Sequence, residues 1–244
     1  MWPCGMWDGE TASSRRSEGG FALVVALIVM AVVAAVGLGL AATTSLEPLA
    51  AANYESSWAA RFAAEAGIAV AAHELAGIGD WDLVLDGRVA SAVLEHGAAS
   101  VELPDGSHAD LADLTALATC GHAGSCSGAE TAAFTVDRPW GPNNPRWRLF
   151  GHGRLDRLLG GGTGVPPVEV VVWVGDDPAD TDGDPLRDSG AAPGGGWQPG
   201  ACVLAVRAEA FAPRSGHRTV IATVTRPSPG CGPGARLVWW RVLS

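Results

Sequence analysis

The run Phe21–Ala42 (FALVVALIVMAVVAAVGLGLAA) contains no charged residue and constrains the chain more than any other stretch in it. At the rise of an α-helix it spans roughly 33 Å, enough to cross the hydrocarbon core of a bilayer. Helical patterning does not stop there: Thr43–Ala76 stays rich in alanine but becomes amphipathic. Arg15 and Arg16 precede the run and the next basic residue is Arg61, so the positive-inside rule predicts a cytoplasmic N-terminus and an exported remainder. A secretory signal would have a shorter apolar core and a small-x-small cleavage site directly after it. Residues 1–20 lack any hydrophobic period and read as a leader. Residues 21–76 then form a transmembrane and assembly helix, and residues 77–244 an extracytoplasmic globular domain.

The second half of the helix carries its own pattern. Tyr54, Trp58 and Phe62 recur at i, i+4 and make one aromatic face, expected to dock on the domain while the opposite face stays polar. Arg61 and Glu65 are placed for an i, i+4 ion pair beside it. Pro48 removes one backbone hydrogen bond and predicts a kink or a local break.

Beyond Gly77 the patterning predicts an α+β domain whose sheet is antiparallel. A short helix is expected within Trp81–Leu94, a strand over Ala98–Leu103 ending in the turn Pro104-Asp105-Gly106, and a helix over Ala109–Ala118. Arg146–Gly151 alternates as a strand, and Asn144–Arg148 either displays Trp147 to a partner or buries it in the sheet. Val168–Val174 is a nearly continuous apolar strand. Val203–Phe211 and Arg218–Arg226 alternate about the turn Pro213–Gly216 and predict a hairpin with Phe211 opposite His217 and Cys202 opposite Arg226. Arg236–Leu243 is the expected last strand.

The cysteines fit export. Without Cys4 of the leader, Cys120, Cys126, Cys202 and Cys231 remain as two sequence-local pairs, as expected for two disulfides outside the cytoplasm. The hairpin register brings Cys231 back toward Cys202, and the glycines between Cys120 and Cys126 make a small closed loop easy. The rival use of Cys120, His122 and Cys126 as metal ligands lacks a CxxC or a second half-site.

Two other chemistries can be weighed. The loop from Gly175 to Asp188 gathers Asp177, Asp180, Asp182, Asp184 and Asp188 around a turn glycine, the hard-oxygen chemistry of a calcium site, against the plainer reading of a solvated acidic loop. Pro178 stands where an EF-hand needs its first acidic ligand, so it is not an EF-hand. Catalysis finds no support: six scattered histidines include no HExxH, no GxSxG occurs, and the run Gly160–Gly164 has no lysine after it to bind phosphate. The formal charge of −10, with no lysine anywhere, disfavours nucleic acid as a partner.

Gly19-Gly20-Phe21 followed by Ala-Leu-Val-Val resembles the class III signal of prepilins. The resemblance implies cleavage after Gly20 by prepilin peptidase and N-methylation of Phe21. Most pilins carry a glutamate at the fifth mature position, and here that position is Val25. PilX-type minor pilins of type IV pili and GspK-type pseudopilins of type II secretion share that absence. The segment Phe62–Ile68 (FAAEAGI), ending in Ala72-His73-Glu74-Leu75, resembles the PilX type, and the middle of the chain is short for the helical insertion of the GspK type. The implied fold is pilin-like, a long N-terminal helix packed on an antiparallel sheet. The implied function is a non-enzymatic minor pilin that waits in the inner membrane with a periplasmic domain, then helps to initiate the pilus and sits at or near its tip. Its expected partners are prepilin peptidase, other minor and major pilins, and a tip adhesin. A pseudopilin and a membrane-tethered calcium-binding adhesive domain are the alternatives.

Overall fold

The structure, a computed structural model, describes residues 19–160, 166–180, 183–188, 200–226 and 234–243. It divides into two compact units, Met1–Ala51 and Ala52–Ser244. Residues 1–18 of the leader, with Cys4, lie outside the described residues, as do Asp182 and Cys231.

Helix α1 runs without interruption over Gly19–Gly77. No break divides it at Pro48, which sits inside the helix. A proline there removes one amide donor, and the flanking alanines and leucines are strong enough helix formers to carry the helix through. Just before it, the Thr43 and Thr44 hydroxyls donate back to the Leu40 carbonyl at 2.9 and 3.0 Å. In the first unit the apolar side chains from Phe21 to Leu40 are exposed. By length and composition this is the one described helix able to cross a membrane.

The second unit is built on a five-stranded antiparallel sheet in the order β3-β4-β5-β6-β7. Its strands are β3 (Arg148–Arg154), β4 (Glu169–Asp176), β5 (Val203–Ala212), β6 (Gly216–Thr225) and β7 (Arg236–Leu243). Every residue of β4 is buried, which explains its unbroken apolar run inside the sheet. The hairpin register is as expected, with Phe211 opposite His217, and the Arg226 amide donates to the Cys202 carbonyl at 3.0 Å. A small two-stranded sheet, β1 (Ser100–Glu102) and β2 (His108–Asp110), leads into α3 (Leu111–Cys120). Asp110 caps that helix by accepting from the amides of Ala112 and Asp113.

One face of the sheet takes the second half of α1. Val170, Val172, Val174, Leu204, Val206, Ala208, Val220 and Ala222 pack there against Ala60, Ala63, Ala64, Ile68, Ala71 and Leu75. The other face carries Val171, Trp173 and Ala205 beneath Val101, Leu111, Ala118 and Trp147. Trp147 is therefore core, not display. The helix expected within Trp81–Leu94 is cut to one turn, α2 (Asp82–Leu85). Gly87 turns the chain out of it at φ +75°, and the chain then follows β3 as an extended strap.

Candidate functional site

The helix is where the sequence concentrates its candidate residues, and the structure sorts them by face. The side facing the sheet is made chiefly of small residues at helical spacing: Ser56, Ala60, Ala63, Ala64, Gly67 and Ala71 are buried there, with Ile68 and Leu75 as the two larger side chains. Gly67 marks the closest approach. A Cβ there would lie 2.8 Å from Val170 Cγ1 and 3.0 Å from Val172 Cγ2, so only glycine admits the strand at this distance. At the ends of the contact, the Ser56 hydroxyl donates to the Pro213 carbonyl and the Trp81 indole donates to the Leu75 carbonyl at 3.0 Å.

The aromatic face does not dock. Tyr54 is 66% and Phe62 57% exposed, with Trp58 between them half-buried. The expectation failed because a close helix-on-sheet contact selects small side chains, and aromatic rings would hold the backbones apart. The three rings contact one another instead, at centroid separations of 5.8 Å for Tyr54–Trp58 and 5.4 Å for Trp58–Phe62. Arg61 lies 5.0 Å from the Trp58 ring and 5.7 Å from the Trp240 ring of β7, and its Nε bonds Glu65 at 2.9 Å. The outer side of α1 is thus an aromatic ladder with a guanidinium threaded through it.

Glu74 has a structural task that sequence reasoning missed. Its carboxylate accepts from the amides of Ala92 at 2.7 Å and Val93 at 3.1 Å and from the Ser91 hydroxyl. The strap 91–95 is thereby pinned to the helix while it bonds β3: Ser91 N–H to the Phe150 carbonyl at 2.8 Å, and Glu95 and His152 to each other at 2.8 and 2.9 Å. His152 and Glu169, both about 6% exposed in their side chains, pair at 3.2 Å across β3 and β4. Pattern alone offers no signal for either arrangement, because both partners are distant in sequence.

The remaining predicted residues fall as follows. Gly20 and Phe21 lie in the first turn of α1, Phe21 exposed, and Val25 follows on the same apolar segment. Cys120 and Cys126 are joined by a disulfide with their Cα atoms 5.9 Å apart. Cys202 is disulfide-bonded, while its expected partner Cys231 lies outside the described residues. Of the acidic loop, Asp177, Asp180, Asp184 and Asp188 are described. Asp188 accepts from the Cys202 amide at 2.7 Å, and burial pushes its carboxyl up to about 7. Asp184 reaches Arg187 at 3.4 Å. Burial also raises Asp177 above the usual carboxylate range. Among the described residues, no three His, Cys, Asp or Glu side chains come together as a metal cluster.

Residues 19–69 match the family model described as PilX N-terminal. This first part of the chain is similar to the PilX N-terminal segment, and the match takes in the Gly20–Phe21 junction, the apolar run, the aromatic ladder and Gly67. No curated protein and no solved structure matches the chain.

Proposed function

We propose that this chain is a minor pilin of a type IV pilus, a structural subunit held in the inner membrane by Phe21–Ala42 with its sheet domain in the periplasm. The observation that carries this reading is the PilX-type match over residues 19–69, which takes in an uncharged run that opens directly after Gly19-Gly20. Prepilin peptidase would cut between Gly20 and Phe21, and the exposed apolar side chains of the helix would then leave lipid for a bundle of like helices.

Val25 supports a position at or near the tip. A buried acid at that place would neutralise the amino terminus of a neighbouring subunit, and a charge left unpaired in an apolar bundle costs several kcal/mol. A subunit without the acid is better suited to start a filament, with no subunit above it, than to repeat along the shaft. Contact with a tip adhesin follows from that position and belongs to the same proposal. Co-expression with a prepilin peptidase tests the reading: mass spectrometry should find a chain beginning at Phe21. An intact bond between residues 20 and 21 would overturn it.

Calcium binding by the loop 176–188 is a separate proposal, supported by its aspartate spacing alone. Calorimetry with Ca²⁺ decides it: absence of both heat and thermal stabilisation at millimolar calcium removes the site.

A further inference from the structure

The sheet has two edges, and the chain treats them differently. Along β3 the strap 91–95 occupies outer backbone groups. Along β7, Arg236-Leu237-Val238-Trp239-Trp240-Arg241-Val242-Leu243, the described residues supply no second neighbour, and the strand pairs with β6 alone. Leu237, Val238, Trp239 and Trp240 are 44–59% exposed. An antiparallel strand turns alternate N–H and C=O groups away from its neighbour, so this edge presents backbone donors and acceptors in a row. Proteins ordinarily guard such an edge with charges, proline or a covering segment. Here the strand itself offers only a register shift opposite Thr223 and Val224 and an arginine toward each end.

Those arginines indicate what the edge fits. Neither Arg236 nor Arg241 has a carboxylate partner among the described residues. Arg241 lies 5.7 Å from the Trp239 ring instead. In a chain of net charge −10, an arginine-flanked apolar strand inverts the local sign. The two tryptophans face opposite sides of the sheet: Trp240 sits opposite Ala222 on the helix side, and Trp239 opposite Thr223 on the other. Through Arg61, Trp240 continues into the aromatic ladder of α1.

We propose that β7 is the docking edge for an extended segment of a partner protein, which adds to the sheet as a sixth strand. The segment alternates apolar side chains over Trp239 and Trp240 and brings carboxylates to Arg236 and Arg241. Backbone pairing supplies the affinity, and the arginines and aromatic rings supply the selection. A second copy of this chain is a poor occupant, because its own β7 would bring two more arginines and no acid. The inference is independent of the pilin reading and would hold for any protein presenting this edge.

The test uses the full chain in detergent micelles and two synthetic peptides. One alternates valine and threonine with a glutamate toward each end, and the other has arginine in place of glutamate. With the glutamate peptide, hydrogen exchange of residues 236–243 should slow by about tenfold or more, and with the arginine peptide it should not change. The double reversal R236E/R241E should exchange the two preferences. Equal slowing by both peptides, or by neither, overturns the proposal. So does slowing without peptide that grows with protein concentration, which would make a second copy the occupant. If the double reversal unfolds, the wild-type chain's discrimination between the two peptides is decisive by itself.

Discussion

The inner and outer sides of α1 between Ala52 and Gly77 belong to one helix and obey opposite rules. Inside, alanine, glycine and serine bring the helix down onto β4 and β5, and the contact tolerates almost no added volume. Outside, Tyr54 and Phe62 stand in solvent with Trp58 and Arg61 half-buried between them, and the rings touch chiefly one another. Apolarity alone would have put the aromatics inside. Shape outranks hydrophobicity when backbones must approach closely, so the least conspicuous residues hold the fold together.

Substitutions can break or sharpen this contrast. The largest effect is expected at the inner side. Gly67→Val should destabilise the chain by about 3 kcal/mol, since its Cβ alone already collides with Val170 and Val172. Urea unfolding in detergent, followed by tryptophan fluorescence, would measure it, and a loss below about 1 kcal/mol would mean the helix and sheet can part at little cost. Glu74→Ala comes next, at about 1–3 kcal/mol, because two amides and a hydroxyl of the strap lose their acceptor. Its signature is local: exchange at Ala92 and Val93 should accelerate while the hairpin stays protected.

The outer side should behave otherwise. Tyr54→Ala and Phe62→Ala should each cost less than about 1 kcal/mol in the same assay, as expected of side chains that face solvent. If these rings serve assembly, the pair of substitutions should deplete the protein from sheared filaments while its level in membranes is kept. A loss of stability as large as that of Gly67→Val would erase the distinction between the two sides.

The last effect is one of pH and belongs to a residue on neither side. Burial raises the Asp188 carboxyl to about 7 from an ordinary value of 3.8, so the folded chain holds this proton more tightly than the unfolded chain. The stability it contributes is fully present below about pH 4 and is lost as pH rises through 7. Asp188→Asn should flatten that decline, as urea midpoints at pH 4, 5.5 and 7 would show, and should leave both sides of the helix unchanged.

The elements with the strongest periods were legible in the sequence. The apolar run, the hairpin with Phe211 opposite His217, and the last strand Arg236–Leu243 occur at or within a residue or two of their expected places. Local spacing determines these, and tertiary packing had little to overrule. Two expectations failed for physical reasons. Val84–Leu94 has helical apolar spacing, yet the helix stops at Leu85 and residues 91–95 become a strap that bonds β3 and is anchored by Glu74. The aromatic face of α1 was visible as a face, but periodicity does not tell which of two apolar stripes a sheet will accept. The pairs that matter most around the strap, Glu74 with Ala92 and His152 with Glu169, join residues 18 and 17 apart and leave no mark in any local window.

The helix that begins in the membrane segment also supplies one wall of the domain's core, and this bears on how the protein can be cut. A fragment starting at Gly77, where composition alone places the domain boundary, would keep every strand of the sheet. It would also uncover Val170, Val172, Ala208 and Ala222 and free the strap from its anchor. The heritable module is therefore the sheet together with the helix from Ala52 onward. Any transplant of this domain to another membrane anchor must carry that last stretch of helix with it.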